Sequence, residues 1–157
     1  MKFASLLIAS ILAAFGQQTK FQPVDDARYP KLVAEHKGKV LLVDFWATWC
    51  KPCRVETPAI VKMAGQLTAR GLDLVAISAD EPEQEAAALQ FLRENKVPGT
   101  AYVKKAADDD KFTAMVDGKW NGALPALVLY DRTGKRVRAF YGETPTKEVE
   151  AAILKLL

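Results

Sequence analysis

Cysteine is scarce in this chain of 157 residues: it occurs twice, at Cys50 and Cys53, and histidine occurs once, at His36. A structural zinc site takes four ligands, usually as two Cys/His pairs. Three candidates cannot complete one without carboxylates or a partner chain. A disulfide framework is excluded too, because a bridge stabilises more the longer the loop it closes, and these two cysteines close almost none. The 22 Lys and Arg against 19 Asp and Glu leave a formal charge of only +3. No basic run interleaves with aromatics, which excludes a nucleic-acid partner. No uninterrupted apolar stretch reaches the ~20 residues of a spanning helix. Internal repeats and low-complexity tracts are absent as well.

What is present is globular: half of the residues are hydrophobic and 26% are charged, a composition and length that suit one domain with a real core. Met1-Lys2 gives a short positive start, Phe3 to Phe15 carries no charge, and Ala14 and Gly16 offer small residues before Gln17. That is the three-part pattern of a secretory signal peptide over residues 1–16. Export, most simply to a periplasm, follows from it; an uncleaved membrane anchor is the alternative. Residues 17–23 read as a polar lead-in and 24–157 as the folded domain.

Along that domain, Val24 to His36 reads as a short helix, with Pro30 inside it. Val40 to Phe45, apolar except for Asp44, suits a central strand. Ile60, Met63, Ala64 and Leu67 fall at helical spacing after Cys53, around Pro58. Leu72 to Ala79 predicts a second buried strand, Pro82 to Asn95 a helix, and Val97 to Val103 a short strand. Asp108 to Val116 predicts a helix whose acidic start suits the helix dipole. Ala126 to Tyr130 and Val137 to Tyr141 flank a turn at Asp131–Gly134, an antiparallel hairpin. Thr146 to Leu157 closes the chain as a helix. From Val40 onward the order is β-α-β-α-β-α-β-β-α, which indicates a three-layer α/β domain with a mixed sheet.

The chemistry concentrates in Trp49-Cys50-Lys51-Pro52-Cys53. A thiol pair at i, i+3, on a turn from strand to helix, is suited to making and breaking a disulfide. Cys50 would sit at the helix start, where free backbone N–H groups and the dipole favour a thiolate. The Lys51 ammonium adds in the same direction, unless it is only a solvated surface group. Pro52 has no N–H to waste in the first turn. Cys50 is therefore the expected exposed nucleophile, and Cys53, one turn further in, the buried resolving thiol.

The segment from Val40 to Arg54 resembles the active-site segment of the thioredoxin superfamily, and Pro58 matches that family's helix-kinking proline. Gly122-Ala123-Leu124-Pro125-Ala126, followed by Asp131 and Gly134-Lys135, resembles its cis-proline loop and hairpin. The likeness covers residues 24–157, and the extra helix-strand unit before the proline loop is most similar to the TlpA/ResA-type exported thiol-disulfide oxidoreductases.

The resemblance implies a thioredoxin fold and a cis Leu124–Pro125 bond facing the cysteine pair. Client proteins would dock on Trp49, Lys51, Pro52, Leu124 and Pro125, while Trp46 packs on the sheet. It implies a monomer without cofactor, recharged by a membrane electron donor. Reduction of client disulfides, with cytochrome c maturation as one setting, is the first reading. An oxidase or isomerase of secreted proteins is the alternative, and a redox-gated binding or chaperone module a third. Asp44 matches the family's buried acid, which moves protons for the resolving thiol; its lysine partner would fall at Ile77. Glu81 matches a catalytic acid of the ResA-like branch, an alternative to Asp44 as the acid/base, and Asp80 and Glu81 can equally be a helix-start pair.

Overall fold

The computed structural model describes residues 20–157; the signal segment and the first residues of the lead-in, 17–19, lie outside them. Six strands form one sheet in the order β1-β4-β3-β2-β5-β6. The strands are β1 (Gln22–Val24), β2 (Val40–Trp46), β3 (Leu72–Ser78), β4 (Tyr102–Lys104), β5 (Ala126–Tyr130) and β6 (Arg136–Tyr141). The helices are α1 (Arg28–Glu35), α2 (Lys51–Leu67), α3 (Glu85–Glu94), α4 (Asp109–Val116) and α5 (Thr146–Leu154). β1, β4, β3 and β2 run parallel, while β5 and β6 are antiparallel to their neighbours.

The layers follow from the period-2 alternation of β2, all seven residues of which are buried. Leu41, Val43 and Phe45 point to the face covered by α1 and α4, where they meet Leu32, Phe112 and Val116. Val40 and Leu42 point to the other face, against Ile60, Met63 and Ala64 of α2 and Val149 and Ile153 of α5. Trp46 joins a third cluster with both cysteines and Ala88, Leu89 and Leu92 of α3. The fold is thus α/β/α with a mixed sheet, as the element order predicts.

Three local outcomes depart from the sequence reading. Gln22–Val24 is a strand rather than lead-in and helix start, pairing parallel to Tyr102–Lys104; a three-residue edge strand shows no periodicity. β4 is correspondingly shorter than the expected Val97–Val103. The last helix stops at Leu154. α4 is as expected, and Asp108 caps it by accepting the Lys111 N–H at 3.1 Å.

Candidate active site

β2 ends at Trp46 and delivers the chain through Ala47-Thr48-Trp49 to Cys50, the N-cap of α2. Cys50 and Cys53 are joined as a disulfide with Cα atoms 5.3 Å apart. The Cys53 N–H donates to the Cys50 sulfur at 3.3 Å. This is the orphan donor of a helix first turn, aimed where a thiolate at Cys50 would carry its charge. Cys53 is fully buried, as expected. Cys50 is not exposed as the sequence predicts: 6% of its surface remains accessible. The reason is packing, since Trp46 and Ala47 share its cluster and Leu124 lies against it. Trp49, 63% exposed, supplies the open apolar surface beside the pair, and Lys51 is exposed.

The Leu124–Pro125 peptide is cis. Pro125 is buried, and Leu124, half-buried, packs against both the disulfide cluster and the aromatic cluster on the opposite face of the sheet. Through Leu124 the loop reaches the cluster that contains the cysteine pair. Trp46 is buried, its ring tilted against Phe91 with centroids 4.7 Å apart.

Asp44 is 1% exposed and accepts the Thr57 hydroxyl at 2.8 Å. Thr57 lies four residues after Cys53, on the same helix face, so this carboxyl addresses the side of α2 that holds the resolving sulfur. Burial, opposed by the Thr57 hydrogen bond and reinforced by the charge of Glu56, pushes its pKa up to about 7. Ile77, at the position of the family's lysine, offers no countercharge.

Glu56 was not singled out from the sequence. It is 9% exposed, its Oε2 accepts the Thr144 N–H at 3.1 Å, and its buried Oε1 has no partner. Burial raises its pKa. It lines a cleft of about 490 Å³ between the first turns of α2 (Pro52, Val55, Ala59) and the 143–146 loop. Its signal was positional: with Cys53 as reference, i+3 on the helix, just before Thr57.

The two acids after β3 separate. Glu81 is exposed and starts a short 3-10 turn, its N–H donating to Gln84 Oε1 at 3.0 Å. Asp80 is the buried one, 4% exposed. It accepts the Thr48 N–H at 3.0 Å, the Thr48 hydroxyl at 2.5 Å and the Ser78 hydroxyl at 2.7 Å. It therefore braces the turn that carries Trp49 and Cys50. No cluster of residues able to hold a metal ion occurs among the described residues.

A parallel strand, a redox-capable Cys-X-X-Cys at the following helix start, and an opposed cis-proline loop define a thioredoxin-fold thiol-disulfide protein. The chain matches the AhpC/TSA family over residues 17–143 and belongs to it. It is 30% identical over 120 residues to the thiol-disulfide oxidoreductase ResA of Bacillus cereus, covering 76% of this chain and 65% of that protein. It is 32% identical over 123 residues to the thiol:disulfide interchange protein DsbE homolog of Paracoccus denitrificans, covering 73% and 62%. The chain thus spans about two thirds of the length of these curated relatives. Two solved structures share the fold. A secreted thiol-disulfide isomerase from Corynebacterium glutamicum has a TM-score of 0.67 at 21% identity, over 79% of this chain and 74% of that one. A thiol:disulfide interchange protein of the thioredoxin family from Chlorobium tepidum has a TM-score of 0.63 at 21% identity, over 78% and 83%.

Proposed function

We propose that this chain is an exported thiol-disulfide oxidoreductase that reduces disulfides of client proteins through Cys50 and Cys53. The observation that carries the reading is the cysteine pair at the N-terminus of α2, with the Cys53 N–H on the Cys50 sulfur and Leu124 packed alongside. In the reduced pair, the Cys50 thiolate attacks one sulfur of a client disulfide, forming a mixed disulfide and releasing the other client sulfur as a thiolate. Cys53 then loses its proton to Asp44 and attacks the Cys50 sulfur. The client leaves as a dithiol and the pair is left oxidised. Two electrons from a membrane dithiol donor restore it. Trp49, Lys51, Pro52, Leu124 and Pro125 form the client-docking rim, and the protein works as a monomer on the periplasmic side of the membrane. Glu81, exposed after β3, is the second acid proposed for acid/base work at the pair. Apocytochrome c is one client consistent with the likeness to the ResA branch.

The direction follows from charge. A strong oxidant needs a strongly stabilised thiolate, and here a single exposed lysine, Lys51, adjoins Cys50, with no histidine between the cysteines. Two measurements test the reading. The protein, with dithiothreitol as electron source, is expected to reduce insulin. Its pair is expected to oxidise in a mildly oxidising glutathione buffer. A pair that stays reduced there is an oxidant, and the oxidase reading replaces this one. Binding of clients without turnover supports the chaperone reading.

A further inference from the structure

The loop from α4 to β5 is held by bonds that the disulfide chemistry does not require. The Trp120 indole N–H donates to the Ala123 carbonyl at 2.8 Å. Ala123 directly precedes Leu124–Pro125, and its own N–H donates to Asn121 Oδ1 at 3.0 Å. Gly122, at φ +85°, makes the reversal that brings Ala123 back over the indole. Trp120 is itself fixed. It is 5% exposed, its ring lies 4.7 Å from Phe45 and 6.5 Å from Tyr141, and its backbone N–H donates to the Asp117 carbonyl at 2.8 Å. Asp117 is tied to the sheet in turn, because its carboxylate accepts the Tyr141 hydroxyl at 2.6 Å and pairs with Arg136 at 3.3 Å. On the far side of the proline, Gly142 donates its N–H to the Pro125 carbonyl at 2.9 Å.

We propose that Trp120 is the positioning residue of the client-docking loop: its indole N–H holds Ala123, and so sets where Leu124–Pro125 stands against the disulfide. This rests on the oxidoreductase reading above. An aromatic in a core needs no polar partner to fill space. Trp120 spends its one polar hydrogen on the backbone of the loop, and Leu124 is the side chain that packs on both the aromatic and the disulfide clusters. The bond therefore acts on recognition. It leaves the Cys50–Cys53 geometry to α2 and to the Asp80–Thr48 brace.

Trp120→Phe keeps the ring stacking and removes the N–H. With insulin as the probe and dithiothreitol as electron source, its KM for insulin is expected to rise roughly three- to tenfold, the scale of one lost hydrogen bond, with kcat changed less than twofold. The pH profile of Cys50 alkylation is expected to match that of the unaltered protein, a readout that a general loss of packing would move. Tyr141→Phe, which removes one of the two side-chain ties from Asp117 to β6, is expected to shift KM the same way by less, and it decides the matter if Trp120→Phe does not fold. An unchanged KM, or a fall confined to kcat, overturns the proposal. So does a Trp120 indole N–H that exchanges with solvent as fast as that of exposed Trp49. Failure of the unaltered protein to reduce insulin overturns the oxidoreductase reading instead, and the proposal with it.

Discussion

The Thr57 hydroxyl donates to the Asp44 carboxylate at 2.8 Å, across the buried seam between α2 and β2. This one bond connects the helix carrying both cysteines to the only acid of the central strand. A single neutral donor does not compensate the loss of water around a carboxylate, which is why Asp44 holds its proton to about pH 7.

The first consequence is in stability. In the unfolded chain Asp44 ionises near 3.8, and in the fold near 7. Between those values the folded state retains a proton that the unfolded state has released. Stability therefore falls as pH rises from about 4 to about 7 and is level above. Asp44→Asn is expected to remove this slope and to stabilise the oxidised protein at pH 8 by roughly 2–4 kcal/mol, measured by urea denaturation across pH. A mutant curve parallel to that of the unaltered protein would refute it.

The second is kinetic. The resolving step, read as decay of a mixed disulfide in stopped flow, is expected to accelerate as pH rises through about 7, where Asp44 becomes able to accept the Cys53 proton. Asp44→Asn should slow that step by about 100-fold near neutrality, the lower end of the range for a positioned base, and flatten its profile there. An unchanged profile would assign the proton transfer elsewhere.

Glu56 modulates this carboxyl, since its charge raises the Asp44 pKa. Glu56→Gln is expected to move the midpoint of the Asp44 titration to lower pH, measured by carboxyl NMR or by the stability profile. A midpoint that stays in place, or moves up, would show that the two acids do not sense one another.

The cysteines are expected to divide their roles by depth. Iodoacetamide should modify Cys50 before Cys53 in the reduced protein near neutral pH, Cys50→Ala should abolish turnover, and Cys53→Ser should accumulate mixed disulfides. Earlier modification of Cys53 would reverse the assignment.

The opposite end of the sheet provides a control. Gly71 has φ +101°, and a Cβ there would lie 2.8 Å from the Arg132 guanidinium, which donates to the Gly38 and Arg70 carbonyls at 3.1 and 3.2 Å. Gly71→Ala is expected to cost about 1–3 kcal/mol from the left-handed backbone, plus the displaced arginine. Insulin turnover per folded molecule should remain unchanged. A loss of turnover at full folding would show that this end communicates with the disulfide.

The redox pair, its place between a buried strand and a helix, and the order of layers were legible from the residues. Each of these is written in local periodicity or in the spacing of a few reactive groups. The opposed proline loop was legible only through resemblance, because nothing local ties Leu124 to Cys50 across 74 positions of chain. Beyond Asp44, which acids are buried emerged only with the packed fold. Asp80 and Glu81 are neighbours of the same charge, yet one is enclosed by Thr48 and Ser78 while the other faces water. Glu56 looks like any charged residue of a helix until the 143–146 loop closes over it. The indole of Trp120 reads as core until its hydrogen is seen on Ala123. Burial and hydrogen-bond partners belong to surfaces brought together from distant parts of the chain, and no local pattern carries them.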